Sequence, residues 1–208
     1  MNPSVSPRLI LGSSSRYRQE LLRRLGIPFE VIAPHVDECA HPDETPSDAA
    51  LRLALTKAQA VADTSNDDVI VIGSDQVADL DGQHLGKPGT HDRAVEQLKA
   101  MRGKALVFHT AVAVVRPRTG FEQVMMSEVR VQMGNYSDHD LETYLRLEQP
   151  YDCAGSAKSE GLGVVLIDQI DSSDPTALIG LPLILTTQLI RLAGLDPLAW
   201  HAMQKTQP

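Results

Sequence analysis

A chain of 208 residues with 42% hydrophobic and 22% charged side chains is long enough to bury a sizeable core and reads as folded throughout, as a single domain over residues 1–208 with two lobes around one cleft. Its formal charge of −8 works against binding a polyanion, because duplex affinity depends on many Lys and Arg contacts that displace counterions; nucleic acid is therefore not an expected partner. Cys39 and Cys153 stand outside any CxxC or Cys/His spacing, which argues against a zinc site or a disulfide framework and suits a reducing cytoplasm, and neither the opening MNPSVSPRLILG nor any later segment has the apolar run that secretion or a membrane span requires.

In chain order, Arg8 to Leu11 reads as a short buried strand that runs through Gly12 and a serine cluster into a helix from about Arg16 to Leu25. Ser14 or Ser15 is placed to cap that helix, and Gly26 suits the left-handed residue after its end. A second strand, Phe29 to Ala33, leads into the loop PHVDECAHPDETP. The next helix starts near Pro46, with Thr45 and Asp48 in capping-box positions, and continues through Ala62. The apolar run Val69 to Ile72 then delivers Gly73-Ser74-Asp75 at its far end, and Asp81-Gly82 marks a hairpin turn beyond. After Lys87-Pro88-Gly89, residues His91 to Arg102 read as a helix closed by Gly103. Leu106 to Val115 and Val124 to Gln132 flank a Pro117/Gly120 turn and read as antiparallel strands. Ser137 to Glu148 is a capped helix; a Gly-rich loop, Cys153 to Gly163, precedes a strand Val164 to Ile170 and a terminal helix from about Pro182 to Ala193. Alternating strands and helices with an antiparallel insert give an α/β, or α+β, fold on a mixed sheet with a groove between two lobes.

The loops carry the chemistry. In LGSSSRYR, a strand opening through small polar residues into a helix presents backbone N–H groups, hydroxyls and a positive helix end to an anion, and Arg18 adds a fork of donors. Taken alone, the same residues read as a capped helix with Arg16 and Arg18 facing water, since no Walker or GxGxxG pattern is present. Asp75, aimed into a loop with Ser74 and Gln76, is a candidate catalytic carboxylate or a turn-forming Asp. Asp37-Glu38 offers oxygen ligands for a hard divalent cation, or decorates an acidic loop. Lys57 and Lys87 are compact charges suited to a phosphate or to solvent, and Glu160 sits in a glycine-bounded loop beside Lys158 and Ser159. Together these residues form the parts of a metal-assisted phosphoanhydride hydrolase: a charge clamp, a metal ligand and a water-activating base.

LILGSSSRYRQELLRRLGIPFEV followed by VDE resembles the opening of the Maf nucleotide pyrophosphatases, and the Lys57-Ala58 helix, IGSDQV, GKP, CAGSAKSEGLG and DPTALIGLPL follow in that family's order. The resemblance implies an elongated mixed α/β fold with a central cleft, related to inosine-triphosphate pyrophosphatases, and a homodimer. It also implies hydrolysis of a nucleoside triphosphate to its monophosphate and diphosphate with Mg2+ or Mn2+. The residues matching the family's site are Ser13, Arg18, Glu38, Lys57, Asp75 and Lys87, with Glu38 and Asp75 as expected metal ligands. The family's common SPRR stretch reads Ser15-Arg16-Tyr17-Arg18 here, and the IGSDQV and KSEG forms resemble the branch acting on 7-methyl-GTP rather than the one acting on dTTP and UTP. N7-methylguanine is cationic, so Tyr17 is expected to stack on it and Glu160 to accept its N1–H and exocyclic amine, with Ser15 and Gln76 as further substrate contacts. Two alternatives are a pyrophosphatase for dTTP, UTP, CTP or other modified nucleotides, and a non-catalytic nucleotide-binding regulator of septum formation.

Overall fold

A computed structural model of the chain describes residues 7–205, so the first six residues of the opening segment lie outside the described residues. β1 (Arg8–Gly12) lies between β2 (Glu30–Ile32) and β3 (Val69–Leu80), parallel to both. β3 then pairs antiparallel with β5 (Ala105–Arg116), β5 with β6 (Phe121–Met133), and β6 with β7 (Ile167–Ser172). A short strand, β4 (Gln83–Leu85), folds back from the Asp81-Gly82 turn onto β3. Among the described residues these strands form one seven-stranded mixed sheet.

β3 is the element that positions everything else. On one edge it pairs with β5 along most of its length, whereas the opposite edge is shared by two partners. β1 occupies that edge until Gly12 meets Gly73, and β4 takes it up again only where Leu85 meets Ala78. Residues 74–77 therefore have no strand partner there among the described residues, which leaves about 13 Å of open edge at ~3.3 Å per residue. A gap at which strand neighbours change is where α/β sheets bind ligands.

Both faces of the sheet are covered at its parallel end, which is why the first half of β3 reads as an unbroken apolar run. On one face lies α2 (Pro46–Ala62), packing Ala50, Ala54, Ala58 and Val61 onto Ile10, Val71, Ala111 and Ala113. Gly73 makes this approach possible. A Cβ there would stand 2.2 Å from the Ala54 carbonyl oxygen and 2.6 Å from the Ala58 nitrogen.

On the other face two apolar clusters follow one another along the strands. Leu9, Leu11, Ile70, Ile72, Val112 and Val114 pack on α1 (Arg16–Arg23) and α5 (Leu183–Leu192). Ala78, Leu106, Phe108, Val129 and Val131 pack on α3 (His91–Met101) and α4 (Asp138–Glu148). Between the clusters is a polar layer: the Ser74 hydroxyl, with one hydrogen to donate, lies 2.8 Å from the Ala111 carbonyl oxygen and 3.1 Å from that of Gly180, and Thr110 Oγ1 donates to the carbonyl of Ala177 (3.0 Å).

The cap signals read from the sequence hold. Ser15, Thr45 and Ser137 accept from the backbone N–H groups of Arg18, Asp48 and Asp140, and Ser137 with Asp140 closes a full capping box. Three expectations are corrected. Asp75 lies inside β3 rather than in a loop beyond it, because β5 continues to pair through residues 75–79 after β1 has ended. The expected strand from Val164 begins only at Ile167; Leu162–Leu166 forms a short tight helix, leaving Val164 and Val165 exposed. The chain also does not end its helices near Ala193, since Gly194 (φ 99°) turns it into a further helix, α6 (Pro197–Lys205), whose His201 bonds the Leu25 carbonyl behind α1.

Candidate active site

The open edge of β3 forms the floor of a cavity of about 610 Å³, a size suited to a nucleotide-scale ligand. Ten of the residues singled out from the sequence line it: Ser13, Ser15, Tyr17, Arg18, Glu38, Lys57, Asp75, Gln76, Lys87 and Glu160; Asp37 does not, and its carboxylate instead accepts from the Cys39 nitrogen at 2.9 Å.

Lys57 and Asp75 meet where α2 crosses β3. The packing allowed by Gly73 brings Lys57 onto the same sheet face as Asp75, and its Nζ lies 2.6 Å from Asp75 Oδ1. Nζ is also 2.7 Å from Glu38 Oε1, on the loop before α2. Lys57 is 5% exposed and Asp75 11%, whereas Glu38 is 58% exposed; two carboxylates thus share one buried ammonium at the cavity wall. Burial alone would push the Glu38 carboxyl up, but Lys57, Lys87 and Arg18 together hold it below the ordinary glutamate range.

Arg18 enters from α1. Its Nε donates to the Gly180 carbonyl at 2.8 Å and its Nη1 to Ser13 Oγ at 3.4 Å, leaving further N–H donors of the guanidinium beside the cavity. Burial lowers its pKa while Asp75 and Glu38 raise it, so the same two acids act on Arg18 as on Lys57. Ser13 Oγ accepts from Arg18 and from the Ser15 nitrogen, which leaves its own hydroxyl hydrogen to donate.

Gln76 points to the opposite face from Asp75. Its Nε2 lies within 3.0 Å of Thr110 Oγ1 and of the Ala177 and Leu178 carbonyls. The expected base contact therefore has its amide nitrogen engaged by its own chain, and only its oxygen remains for a ligand. Tyr17 is similarly occupied: the Arg16 guanidinium carbon lies 5.3 Å and Lys158 Nζ 5.8 Å from its ring centroid, so the ring already attracts two cations. Glu160 is exposed to the cavity with a single hydrogen bond among the described residues, from Ser159 Oγ at 3.4 Å. Cys153 is also on the wall, and burial pushes its thiol up to about 12, which disfavours the thiolate form.

Several supporting residues were not found from the sequence. Gly180, in DPTALIGLPL, holds Arg18 and Ser74 through its carbonyl. It is presented by Asp174, which is buried and accepts from Thr176 Oγ1 and from the nitrogens of Thr176 and Ile184, while Thr176 Oγ1 contacts the Leu181 carbonyl. Arg52 grips Glu44 with two nitrogens, at 2.5 and 2.7 Å, and the Cys39 carbonyl at 3.1 Å, fixing the loop that carries Glu38. An Arg five positions before Lys57, with an acid in the preceding loop, is the only sequence signal for that clasp.

Among the described residues no group of three His, Cys, Asp or Glu side chains is arranged to hold a metal ion. Glu38 and Asp75 nonetheless fit a hard divalent cation of the Mg2+ type, which binds through one or two carboxylates and completes its shell with water and substrate phosphates. No helix among the described residues is long and apolar enough to cross a membrane.

Residues 8–193 match the family described as Maf-like protein. The chain is 58% identical over 198 residues to a 7-methyl-GTP pyrophosphatase of Albidiferax ferrireducens, covering 95% of this chain and 99% of that protein. It is 60% identical over 194 residues to a 7-methyl-GTP pyrophosphatase of a Polaromonas species, covering 93% and 88%. Among solved structures it is similar to a nucleoside-triphosphatase / dITP/XTP pyrophosphatase from Mycobacterium abscessus, with 18% identity, a TM-score of 0.38, and 62% of this chain and 75% of that one covered. With a family match that spans all but the two ends, and relatives this similar over nearly their whole lengths, the chain belongs to the Maf family.

Proposed function

We propose that this protein hydrolyses 7-methyl-GTP to 7-methyl-GMP and diphosphate. The observation that carries the reading is the meeting of Arg18, Lys57 and Lys87 with Glu38 and Asp75 in one cavity. These cations and acids come from five segments of the sequence and converge on one cavity. They suit a triphosphate tail flanked by a group able to activate water. The Maf relatives named 7-methyl-GTP pyrophosphatase support the same substrate.

In this mechanism the triphosphate lies along the open edge of β3. Arg18 and the Ser13 hydroxyl donate to its oxygens, and Lys87 adds charge from the loop after β4. Asp75 Oδ1 is held by Lys57, while Oδ2 has no hydrogen-bond partner among the described residues and accepts the proton of the attacking water. Water adds to the α-phosphorus, the bond to the bridging oxygen breaks, and diphosphate leaves with its charge balanced by Lys57, Lys87 and Arg18. A Mg2+ or Mn2+ ion held by Glu38 and Asp75 would supply further neutralisation of phosphate charge. On this reading residues 1–208 act as one unit around one cleft, as a cytoplasmic homodimer that removes modified nucleotides from the cellular pool.

Base selection rests on Glu160. Its carboxylate accepts from the N1–H and amine of guanine and favours the positive charge added by N7 methylation, whereas Tyr17 already carries Arg16 and Lys158 on its ring. Diphosphate release from a panel of 7-methyl-GTP, GTP, ATP, dTTP, UTP and CTP tests the assignment. A panel in which a pyrimidine nucleotide is used best would replace this substrate with the alternative one, and no release from any nucleotide would leave only a binding protein.

A further inference from the structure

The loop that presents Glu160 is gripped from behind by a residue that lies outside the cavity lining. Glu148 is the last residue of α4, and its side chain is 15% exposed. Its Oε1 lies 2.6 Å from Lys158 Nζ, and its Oε2 accepts from the Leu162 nitrogen at 2.8 Å. One carboxylate thus holds both sides of the segment 158–162, with Glu160 at its centre. Both interactions are charge-assisted, and together they hold the Glu148 carboxyl below its ordinary range.

The loop is shaped to receive this grip. A Cβ on Gly161 would stand 2.7 Å from Glu148 Oε2, and one on Gly163 would stand 2.5 Å from the Lys158 carbonyl oxygen. Tyr144, one turn earlier on α4, donates its hydroxyl to the Ser156 carbonyl and accepts from the Lys158 nitrogen, each at 3.1 Å. The loop is therefore fixed at its entry by Tyr144 and across its middle by Glu148.

Charge gives the grip a second consequence. Lys158 lines the same cavity as Glu160, with its Nζ 5.8 Å from the Tyr17 ring centroid, where an unpaired ammonium would repel a cationic base and attract the Glu160 carboxylate. By holding Lys158, Glu148 leaves Glu160 free of ion pairs among the described residues. An acid that is unpaired, fixed in place and facing the ligand is what recognition of a cationic, donor-bearing base requires.

We infer that Glu148 is a positioning residue for base selection, acting through Lys158 and the 158–162 loop to hold Glu160 against the nucleobase. This rests on the proposed nucleotide pyrophosphatase activity and adds to it the residue that sets the strength of base discrimination.

The test compares wild type with Glu148→Gln, Glu148→Ala and Lys158→Met on 7-methyl-GTP, GTP and ATP. Glu148→Gln keeps an acceptor for the Leu162 nitrogen but loses the charge, so it serves if Glu148→Ala fails to fold. The expected result for Glu148→Ala is a loss of about tenfold in the preference for 7-methyl-GTP over ATP, the order expected when one charge-assisted hydrogen bond to the ligand is loosened. That loss should fall on KM rather than kcat, with Glu148→Gln and Lys158→Met moving the ratio in the same direction by less. Equal losses on all three nucleotides, a loss carried by kcat, or unchanged ratios in folded Glu148→Gln and Lys158→Met would overturn the inference. A wild type that prefers another base would sink the 7-methyl-GTP reading alone, because the positioning role would still be read from the weakening of that other preference; a wild type with no base preference would contradict both.

Discussion

Lys57 Nζ and Asp75 Oδ1 lie 2.6 Å apart at the one level of β3 where neither β1 nor β4 covers the strand edge. A buried ammonium and carboxylate are placed there by backbone packing, with Gly73 allowing α2 to approach and the end of β1 allowing a ligand to enter. This contact links the fold to the proposed chemistry.

If Asp75 accepts the proton of the attacking water, Asp75→Asn should lower kcat by about 10²–10⁴ while the protein remains folded. Steady-state diphosphate release alongside circular dichroism checks this. A well-folded variant with undiminished turnover would remove Asp75 from the role. Divalent-cation binding measured on the same variant would separate loss of the base from loss of a metal ligand.

Gly73→Ala tests the packing beneath the site. Its added Cβ would meet backbone atoms of α2, which cannot rotate away as a side-chain end could. A destabilisation of about 3 kcal/mol or more is expected, at the upper end of the cost of overpacking a core, together with loss of activity. Denaturant unfolding measures the first, and a stable, active variant would show that α2 can shift without disturbing the site.

Glu44 links the site loop to acid stability. Hydrogen bonding from Arg52, helped by the His41 backbone N–H, lowers its carboxyl from an ordinary 4.5 to about 2 in the fold. A carboxyl depressed in this way adds stability that is fully present above pH 4.5 and is lost as pH falls through about 2. Arg52→Ala should therefore flatten the dependence of stability on pH across that window. It should also weaken divalent-cation binding at Glu38, whose loop Arg52 holds through Glu44 and the Cys39 carbonyl. Acid titration of unfolding and calorimetry with Mn2+ provide the two readouts.

Glu160→Gln turns half of an acceptor pair into a donor and removes its charge. It should lower kcat/KM for 7-methyl-GTP by about tenfold or more, as loss of a charge-assisted hydrogen bond predicts, with a smaller effect on ATP. Tyr17→Ala should change selectivity less, because Arg16 and Lys158 already occupy the ring's surroundings. A Tyr17 effect larger than the Glu160 effect would reverse this ranking.

Much of the site was legible because its residues sit at punctuation marks. Gly12 with the serines, Thr45 before Pro46, and the Asp81-Gly82 turn each carry local signals that survive in the structure. Asp75 stands out in the sequence as a candidate carboxylate but is expected beyond its strand, since local sequence shows where the apolar run stops and not which neighbour continues the pairing. The expected start of β7 at Val164 fails for a related reason: Val164 and Val165 have strand-like composition, but Gly163 packs against Lys158 and the turn closes tightly, leaving those side chains exposed. The contacts that the Gly180 carbonyl makes with Arg18 and Ser74 join segments far apart in the chain, and no spacing encodes them. The crowding of Tyr17 by Arg16 and Lys158 is of the same kind, because Lys158 arrives from far along the chain.

In the proposed reaction, water attacks the α-phosphorus of a nucleotide held along the open edge of β3. Hydrolysis of 7-methyl-GTP in water enriched in heavy oxygen, followed by mass spectrometry of both products, tests it most directly. The expected products are 7-methyl-GMP and diphosphate, with the label in the monophosphate. Label in the diphosphate would place the attack on the β-phosphorus, and release of orthophosphate with 7-methyl-GDP would place the cleavage at the wrong bond; either result would contradict it.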